Sequence, residues 1–236
     1  MAYRHGEGED ADESELHVID PVSLESRLTF KTRQEDFEGF HVRSFTPDGK
    51  LMVGTAGYYL QKEPKLVWEN EMVWWDARSG REKNRLLVGR NIYLAQECHS
   101  QDSKWMAVAN SRAPQLELYM FRHTDQTLQH TIPLEQAEEA STPFAQRPVF
   151  SPDGEHVIVV VNDAPKGAND RMDPSKYPRP RIYVISVEQG KIIKTFLAPR
   201  GWAISPQFSP DGKSFVISGH RKVMFCDWEA MRKEFN

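Results

Sequence analysis

The sequence has few of the features that mark secreted, membrane-spanning or nucleic-acid-binding proteins. Its 236 residues include two cysteines, Cys98 and Cys226, too few for a disulfide framework, so we predict two thiols. No apolar run approaches the roughly 20 residues that span a bilayer. The net charge of −4 provides no broad basic surface for a phosphate backbone. We therefore expect neither nucleic acid nor a membrane as a partner.

The N-terminus also lacks a signal peptide, because acidic residues occupy positions where a basic and then an apolar segment would stand. We expect the protein in the cytoplasm, or in the nucleus of a eukaryote. Residues 1–14 contain almost no large apolar side chains, so burial cannot offset the entropy lost on ordering. The sequence predicts a disordered acidic tail over 1–14 and one folded domain over 15–236.

A repeated five-residue segment is the most informative feature that the chain does have. Phe150-Ser151-Pro152-Asp153-Gly154 recurs at 208–212 and, with threonine for serine, at 45–49. A weaker copy runs from Cys98 to Ser103. Ser or Thr followed by Pro starts a turn, and Asp-Gly lets the chain reverse into the next strand, so each copy predicts a hairpin tip. The four aspartates lie 54, 51 and 58 residues apart, which indicates a repeat protein.

Each repeat contains four short segments with strand character, which is typical of a propeller blade. The segment after each tip is apolar at nearly every position, as expected for a strand buried on both faces. Pro148 and Pro206 precede two of the tips and predict that the first strand is a sheet edge. The last repeat leaves Arg232 to Asn236 for its fourth strand, and Leu16 to Phe30 predicts an extra strand pair. The predicted fold is all-β, with four full four-stranded antiparallel blades plus a half blade.

These tips, together with Trp75-Asp76 at the end of a third strand, resemble the WD-repeat and the TolB-like (YVTN-like) β-propellers. The resemblance covers about residues 15–236. The other third strands end without Trp-Asp, and the repeats are longer than is usual in these families. The resemblance implies a ring, and two options stay open, a compact five-bladed ring with one incomplete blade or part of a larger ring.

Two functions from different classes are compatible with this resemblance. The first is a non-catalytic scaffold for protein–protein interaction, which is the expectation we carry forward. The alternative is the substrate-gating propeller domain of a prolyl-oligopeptidase-like serine peptidase whose catalytic domain is absent from this chain. The identity of a protein partner cannot be predicted from the sequence.

We find no motif for catalysis, a metal or a cofactor. A Gly-x-Ser-x-Gly nucleophile elbow and a phosphate-binding glycine loop are both missing. Glu97, Cys98 and His99 are consecutive, and consecutive strand residues point to opposite faces, so they cannot all bind one ion. Residues 218–221 lie in a short hairpin loop rather than a catalytic segment. We therefore expect no enzyme activity, no catalytic residues, no metal and no cofactor.

The unusual segments are two long connections between second and third strands, at 57–71 and 162–180. Both are connections of the same type, so the sequence predicts that they emerge on one face of the disc, and long loops are often functional. We take this face as the candidate binding face because aromatic residues and arginine dominate interface energetics. The candidate contact residues are Tyr58, Tyr59, Trp68, Trp202, His220 and Arg221.

Overall fold

The computed structural model describes residues 2–5, 15–20, 22–31, 39–62, 65–112, 115–135, 140–165, 178–201, 203–219 and 222–235. Within these ranges the chain forms twenty antiparallel strands and one short helix. The strands make five sheets. These sheets belong to two compact units, Met1–Ile92 and Tyr93–Asn236, which we describe in turn.

The first unit holds a three-stranded sheet ordered β1-β2-β3 and a four-stranded sheet ordered β4-β5-β6-β7. The strands are β1 Ala2–His5, β2 Glu15–Ile19, β3 Ser26–Lys31, β4 Gly39–Phe45, β5 Leu51–Lys62, β6 Lys65–Asp76 and β7 Glu82–Arg90. Val18 and Leu28 of the smaller sheet pack against a core cluster that includes Met52 and Trp75. Burial of these apolar side chains joins the two sheets.

The second unit holds three sheets. Their strands are β8 Tyr93–Leu94, β9 Cys98–His99, β10 Trp105–Arg112, β11 Leu116–Arg122, β12 Thr127–Leu134, β13 Ala140–Ala145, β14 Val149–Phe150, β15 His156–Pro165, β16 Arg181–Ser186, β17 Lys191–Leu197, β18 Gln207–Phe208, β19 Ser214–Gly219 and β20 Lys222–Asp227. The helix α1, Trp228–Arg232, follows β20. The sheets are ordered β8/β9-β10-β11-β12, β13/β14-β15-β16-β17 and β18-β19-β20.

Strand β15 shows how the core of the second unit is built. Val157 and Val159 belong to one hydrophobic cluster with residues of β10 and β11. Ile158 and Val160 belong to a second cluster with residues of β19 and β20. Successive strand residues point to opposite faces, so a run of apolar residues buries both faces at once. The predicted two-sided burial is confirmed for this strand.

The four tips share one hydrogen-bond network. In the third copy, the Ser151 hydroxyl donates to Asp153 Oδ1 at 2.5 Å and accepts the backbone N–H of His156 at 3.0 Å. The Asp153 carboxylate also accepts the backbone N–H of Glu155 at 3.0 Å. The same bonds recur in the other copies, from Thr46 to Asp48 at 2.7 Å, Ser100 to Asp102 at 2.7 Å and Ser209 to Asp211 at 2.6 Å. The weaker copy, from Cys98 to Ser103, is therefore a full hairpin tip.

The last repeat differs from the prediction, because a helix follows its third strand in place of a fourth strand over Arg232 to Asn236. Asp227 caps this helix by accepting the backbone N–H of Ala230 at 2.8 Å. The Trp228 side chain, 1% exposed, packs into the cluster that also contains Phe215. Cap formation and burial of the indole favour the helix over an exposed strand. In three sheets four strand positions lie side by side, and in two of these sheets the first position is shared by two strands. The other two sheets have three strands, so the predicted number of blades stays a prediction.

The N-terminus and the first strands also depart from their predicted bounds. Ala2–His5 forms β1 and pairs with β2, so residues 2–5 are not part of a disordered tail; residues 6–14 lie outside the described residues. The strand pair predicted over Leu16 to Phe30 is confirmed as β2 and β3. The first strand of the third repeat is split into β13 and β14, and Pro148, which has no N–H, lies in the gap.

A substitution at Ser103 tests the tip geometry. Ser103 takes a left-handed φ of 59°, where the third tip has Gly154 at 75°. Because an L-residue pays roughly 1 kcal/mol or more in that region, Ser103→Gly is expected to raise the free energy of unfolding by a few tenths to about 1 kcal/mol. Gly154→Ala is the matched reverse change and should lower it by about 1 kcal/mol. Denaturant unfolding measures both, and a less stable Ser103→Gly protein would contradict the interpretation.

Candidate functional site

The connection predicted as a loop over 57–71 is a two-stranded arm. Strand β4 pairs with β5 only as far as Gly57, and β7 pairs with β6 only from Glu69. Beyond that level, residues 58–62 pair with residues 65–69, down to Lys62 opposite Lys65. We call residues 58–62 and 65–68 the β5–β6 arm. Five residues of strand extend about 17 Å, so the arm projects well past the four-stranded sheet.

The base of the arm is held by a clamp from the chain that follows β7. Asn91 Oδ1 accepts the backbone N–H of Trp68 at 3.1 Å, and the Asn91 N–H donates to the Trp68 carbonyl at 2.7 Å. The Asn70 amide donates to the carbonyl of Ile92 at 2.6 Å, and Arg90 Nε donates to the buried Glu69 carboxylate at 2.6 Å. These bonds fix the direction in which the arm leaves the sheet.

Three of the six candidate contact residues lie on this arm. The Trp68 ring packs on Gly57, where an added Cβ would lie 2.1 Å from Trp68 Cζ2. Trp68 is therefore part of the base of the arm rather than an exposed contact. The backbone of Tyr58 and Tyr59 lies in β5, with Tyr59 opposite Trp68 in the register. Their side chains lie outside what the structure describes.

The other three candidates, Trp202, His220 and Arg221, lie outside the described residues, as do residues 166–177 of the second long connection. Their neighbours are described, and an isolated β-bridge joins Ala203 to Gly219. Asn162 fixes the same segment, because its amide donates to the Ala203 carbonyl at 2.8 Å and accepts the Ala203 N–H at 2.9 Å. The backbone on each side of this candidate group is thus anchored to β15 and β19.

A small depression lies beside this anchored segment. It has a volume of about 10 Å³, and its lining includes Pro199, Arg200, Gly219 and Lys222. A space of that size holds about one water molecule, so it is not a pocket for a small-molecule ligand. A partner that binds here would contact the chain around the depression rather than enter it.

A larger cavity, which sequence reasoning missed, lies at the tip end of the second unit. It has a volume of about 270 Å³ and is lined by Pro152, Asp153, Asp211, Gly212, Lys213, Trp228, Glu229 and Arg232. Arg232 closes one side with an ion pair from Nη1 to Asp153 Oδ2 at 2.7 Å. The cavity depends on α1, a helix that the sequence does not predict, and this is why no sequence signal could have located it.

Beside this cavity, Asp153, Glu155 and His156 bring ligand-type atoms within 4.8 Å of one another. The Asp153 carboxylate already carries the Arg232 guanidinium. The His156 ring lies between aromatic residues, 5.3 Å from Trp228 and 5.5 Å from Phe235 between ring centroids. These contacts give Asp153 and His156 a structural role in seating the C-terminal segment, and no observation at this group points to a bound metal.

The consecutive residues Glu97, Cys98 and His99 do not form a reactive site. The Cys98 thiol is buried, and desolvation raises its pKa to about 12; burial likewise raises the pKa of the Cys226 thiol to about 11. Both cysteines are free, as predicted. Thiols with such high pKa values are protonated at neutral pH and react slowly. His99 stacks on His123, with Nδ1 of the first 2.9 Å from Nε2 of the second.

The comparisons with known proteins support the fold and do not identify a family. No protein-family model and no curated protein matches the sequence. The β-propeller domain of Cps50 (Swd1) from Myceliophteria thermophila is similar over 95% of this chain, at 11% identity and a TM-score of 0.53. Kuenenia stuttgartiensis hydrazine synthase is similar over 92%, at 14% identity and a TM-score of 0.51.

These similarities, together with the antiparallel sheets, show that the chain has a β-propeller fold. The chain spans 67% of the first of those structures and 65% of the second. At such low identity the likeness shows the fold alone. The helix α1, five residues long, is far shorter than a bilayer requires, and the described ranges contain no longer apolar helix that could cross one.

The clamp on the arm is tested by changing Asn91, whose φ is 53°. Asn91→Ala removes the acceptor for the Trp68 N–H and places a less tolerant residue in the left-handed region, so it should destabilise the arm by about 1–2 kcal/mol. Asn91→Gly keeps the conformation and loses only the side-chain bond, so its effect should be smaller. Hydrogen exchange of the amides at 58–68 measures both effects; exchange as slow as in the wild type in both variants would show that the clamp does not hold the arm.

Two half-buried histidines predict the pH dependence of stability. Desolvation lowers the pKa of His156 and that of His99, so both bind a proton less readily in the folded state than in the unfolded state. The free energy of unfolding should therefore fall as pH drops below about 6.5, the ordinary histidine pKa. Denaturation midpoints at pH 7.5 and 5.5 should differ less in His156→Phe than in the wild type. An unchanged difference in that variant would exclude His156 as a source.

Proposed function

We propose that this chain is a non-catalytic scaffold of the WD-repeat-like propeller type that binds another protein. The observation that carries the proposal is the β5–β6 arm, which extends beyond its sheet and is fixed at its base. Support at the level of the fold comes from the likeness to the Swd1 propeller domain. The proposed role requires no catalytic group, metal or cofactor.

The composition of the arm suits protein recognition. Tyr58 and Tyr59 lie near its base, and Lys62 and Lys65 lie at its outer end. Tyrosine supplies a large contact area with few rotatable bonds and a hydroxyl that can form a hydrogen bond. Lysines at the end of the arm favour a partner with acidic residues around the contact. Because the two strands of the arm are paired, these residues would stay together in a complex.

The clamp makes the arm a preorganised element. Binding by a mobile loop loses affinity because the loop must be ordered, and a loop already held in its bound conformation avoids most of that loss. The side-chain and backbone hydrogen bonds between Asn91 and Trp68 and the packing of Trp68 on Gly57 supply this constraint. The arm is therefore the first place to look for a partner.

In the second unit, the connections beside the Ala203–Gly219 bridge form the other candidate surface. Asn162 and Arg179 hold these connections, since Arg179 Nε donates to the Ala198 carbonyl at 2.9 Å. Trp202, His220 and Arg221 are the residues that we propose as contacts there. Each unit thus has an anchored segment with aromatic or arginine residues, and the two are tested separately.

Quantitative pull-down compares the two candidate surfaces with the tips. Tyr59→Ala tests the arm, and Trp202→Ala and Arg221→Ala test the connections of the second unit. Truncation of an interface aromatic or arginine that contributes strongly costs at least about 1–2 kcal/mol, so the affinity for a captured partner should fall roughly tenfold or more. Lys50→Ala and Lys213→Ala, at exposed tip positions, are the controls and should bind normally.

The outcomes separate three interpretations. Loss in Tyr59→Ala alone assigns the interaction to the arm, and loss in the Trp202 and Arg221 variants alone assigns it to the second unit. Loss in the lysine variants alone would move the site to the tips and overturn the proposed surfaces. Normal binding by all five variants would leave neither surface with a role in binding.

A further inference from the structure

The last sheet of the second unit ends at β20, the third strand of its repeat. In each of the remaining repeats the third strand has an inner position. The third strand of each other repeat has a neighbour on both sides: β6 lies between β5 and β7, β11 between β10 and β12, and β16 between β15 and β17. Strand β20 is the third strand of its repeat. Across the described ranges it pairs with β19 alone.

Among the described residues one face of β20 is also uncovered, whereas the same face of β16 is buried by the following sheet, in the cluster that contains Ile182, Val184 and Phe215. Val223 is 56% exposed and Phe225 is 78% exposed. Their equivalents on β16, counted from the residue that pairs with the start of the second strand, are Ile182 and Val184, both 0% exposed. In the β19–β20 register Phe225 lies opposite Val216, so the apolar face continues onto the next strand.

The edge of β20 is open to pairing. Natural edge strands are protected by a proline, a bulge or inward-pointing charge. Strand β20 contains no proline, and its register with β19 runs without a shift from Lys222 to Asp227. The chain then leaves the sheet, since the backbone N–H groups of Trp228 and Glu229 both donate to the Lys213 carbonyl at the tip. The helix α1 therefore does not continue the sheet.

We propose that β20 accepts an extended segment of a partner protein as an antiparallel fourth strand. Main-chain hydrogen bonds to the open edge would supply affinity, and the exposed apolar face would supply selectivity. This surface is distinct from the arm and the connections described above. It fits a partner with a short strand-forming segment rather than a folded domain face.

The chemistry of that segment follows from the fourth strand of the neighbouring repeat. Strand β17 reads Lys-Ile-Ile-Lys-Thr-Phe-Leu and places Phe196 opposite Ile182 and Lys194 opposite Val184. In the equivalent pairing on β20, an aromatic or large apolar residue lies opposite Val223. A residue with a long stem and a cationic end lies opposite Phe225, where it can contact the ring face. The partner segment is thus about six residues long, with apolar residues alternating with lysine or arginine.

A labelled peptide with the sequence of 191–197 is the probe, and its fluorescence polarisation is measured with the full chain. We expect saturable binding to the wild type, weakened at least tenfold by Phe225→Asp. Leu197→Asp is the matched control, because Leu197 is also exposed, at 46%, but belongs to a sheet that already has its fourth strand. Phe225→Ser is a second variant if the aspartate protein does not fold.

Backbone pairing is tested with two N-methylated peptides. Methylation of the amides that would face β20 should abolish binding, and methylation of the alternate amides should not. Unchanged binding by Phe225→Asp and Phe225→Ser, or by the first methylated peptide, would overturn the proposal. A concentration-dependent dimer that is lost in Phe225→Asp would also overturn it, because a second copy of this chain would then occupy the edge.

Discussion

The hydrogen bond between a serine or threonine hydroxyl and the aspartate two residues later is the constraint on which the rest of the structure depends. The hydroxyl also accepts a backbone N–H from the first residue of the next strand, as Ser209 does from Ser214 at 3.1 Å. Bonds to Thr46 and to the Lys50 N–H lower the pKa of Asp48 to about 2, so this aspartate is ionised throughout the neutral range. Each tip therefore joins the first strand of a repeat to the second in one register.

Register matters because the second strands are buried on both faces. A slip of one residue would exchange Val157 and Val159 with Ile158 and Val160 between two different clusters. In the part of the chain that the structure describes, the last repeat contributes to one such cluster, and β19 alternates between buried and half-exposed residues, with Phe215 and Ile217 buried. The residues of each second strand thus record how many neighbouring sheets cover it.

The sequence predicted what local chemistry decides and missed what depends on distant contacts. The tips, including the one that ends at Ser103, follow from four or five adjacent residues, and all four are confirmed. The arm was predicted as a loop, because its strands are stabilised by each other and by Asn91, which lies 23 residues from Trp68. The helix α1 was not predicted, and a strand was expected over 232–236, because burial of Trp228 against Phe215 cannot be seen in a five-residue window. Of the six candidate contact residues, Trp68 lies at the base of the arm, and the contact role of the other five stays a prediction.

The two ends of the four-stranded sheet in the first unit are therefore held by different sets of hydrogen bonds. At the tip end, Thr46 and Asp48 fix the start of β5 through hydrogen bonds that do not depend on the side chains of the strand that follows. At the other end, β5 and β6 continue as a pair whose base is held by Asn91 and Asn70 and not by the tip. Because these constraints are separate, the arm can change in sequence without disturbing the register of the sheet. The fold is therefore easier to predict from local sequence than the partner, because the tips depend on a few adjacent residues and the arm does not.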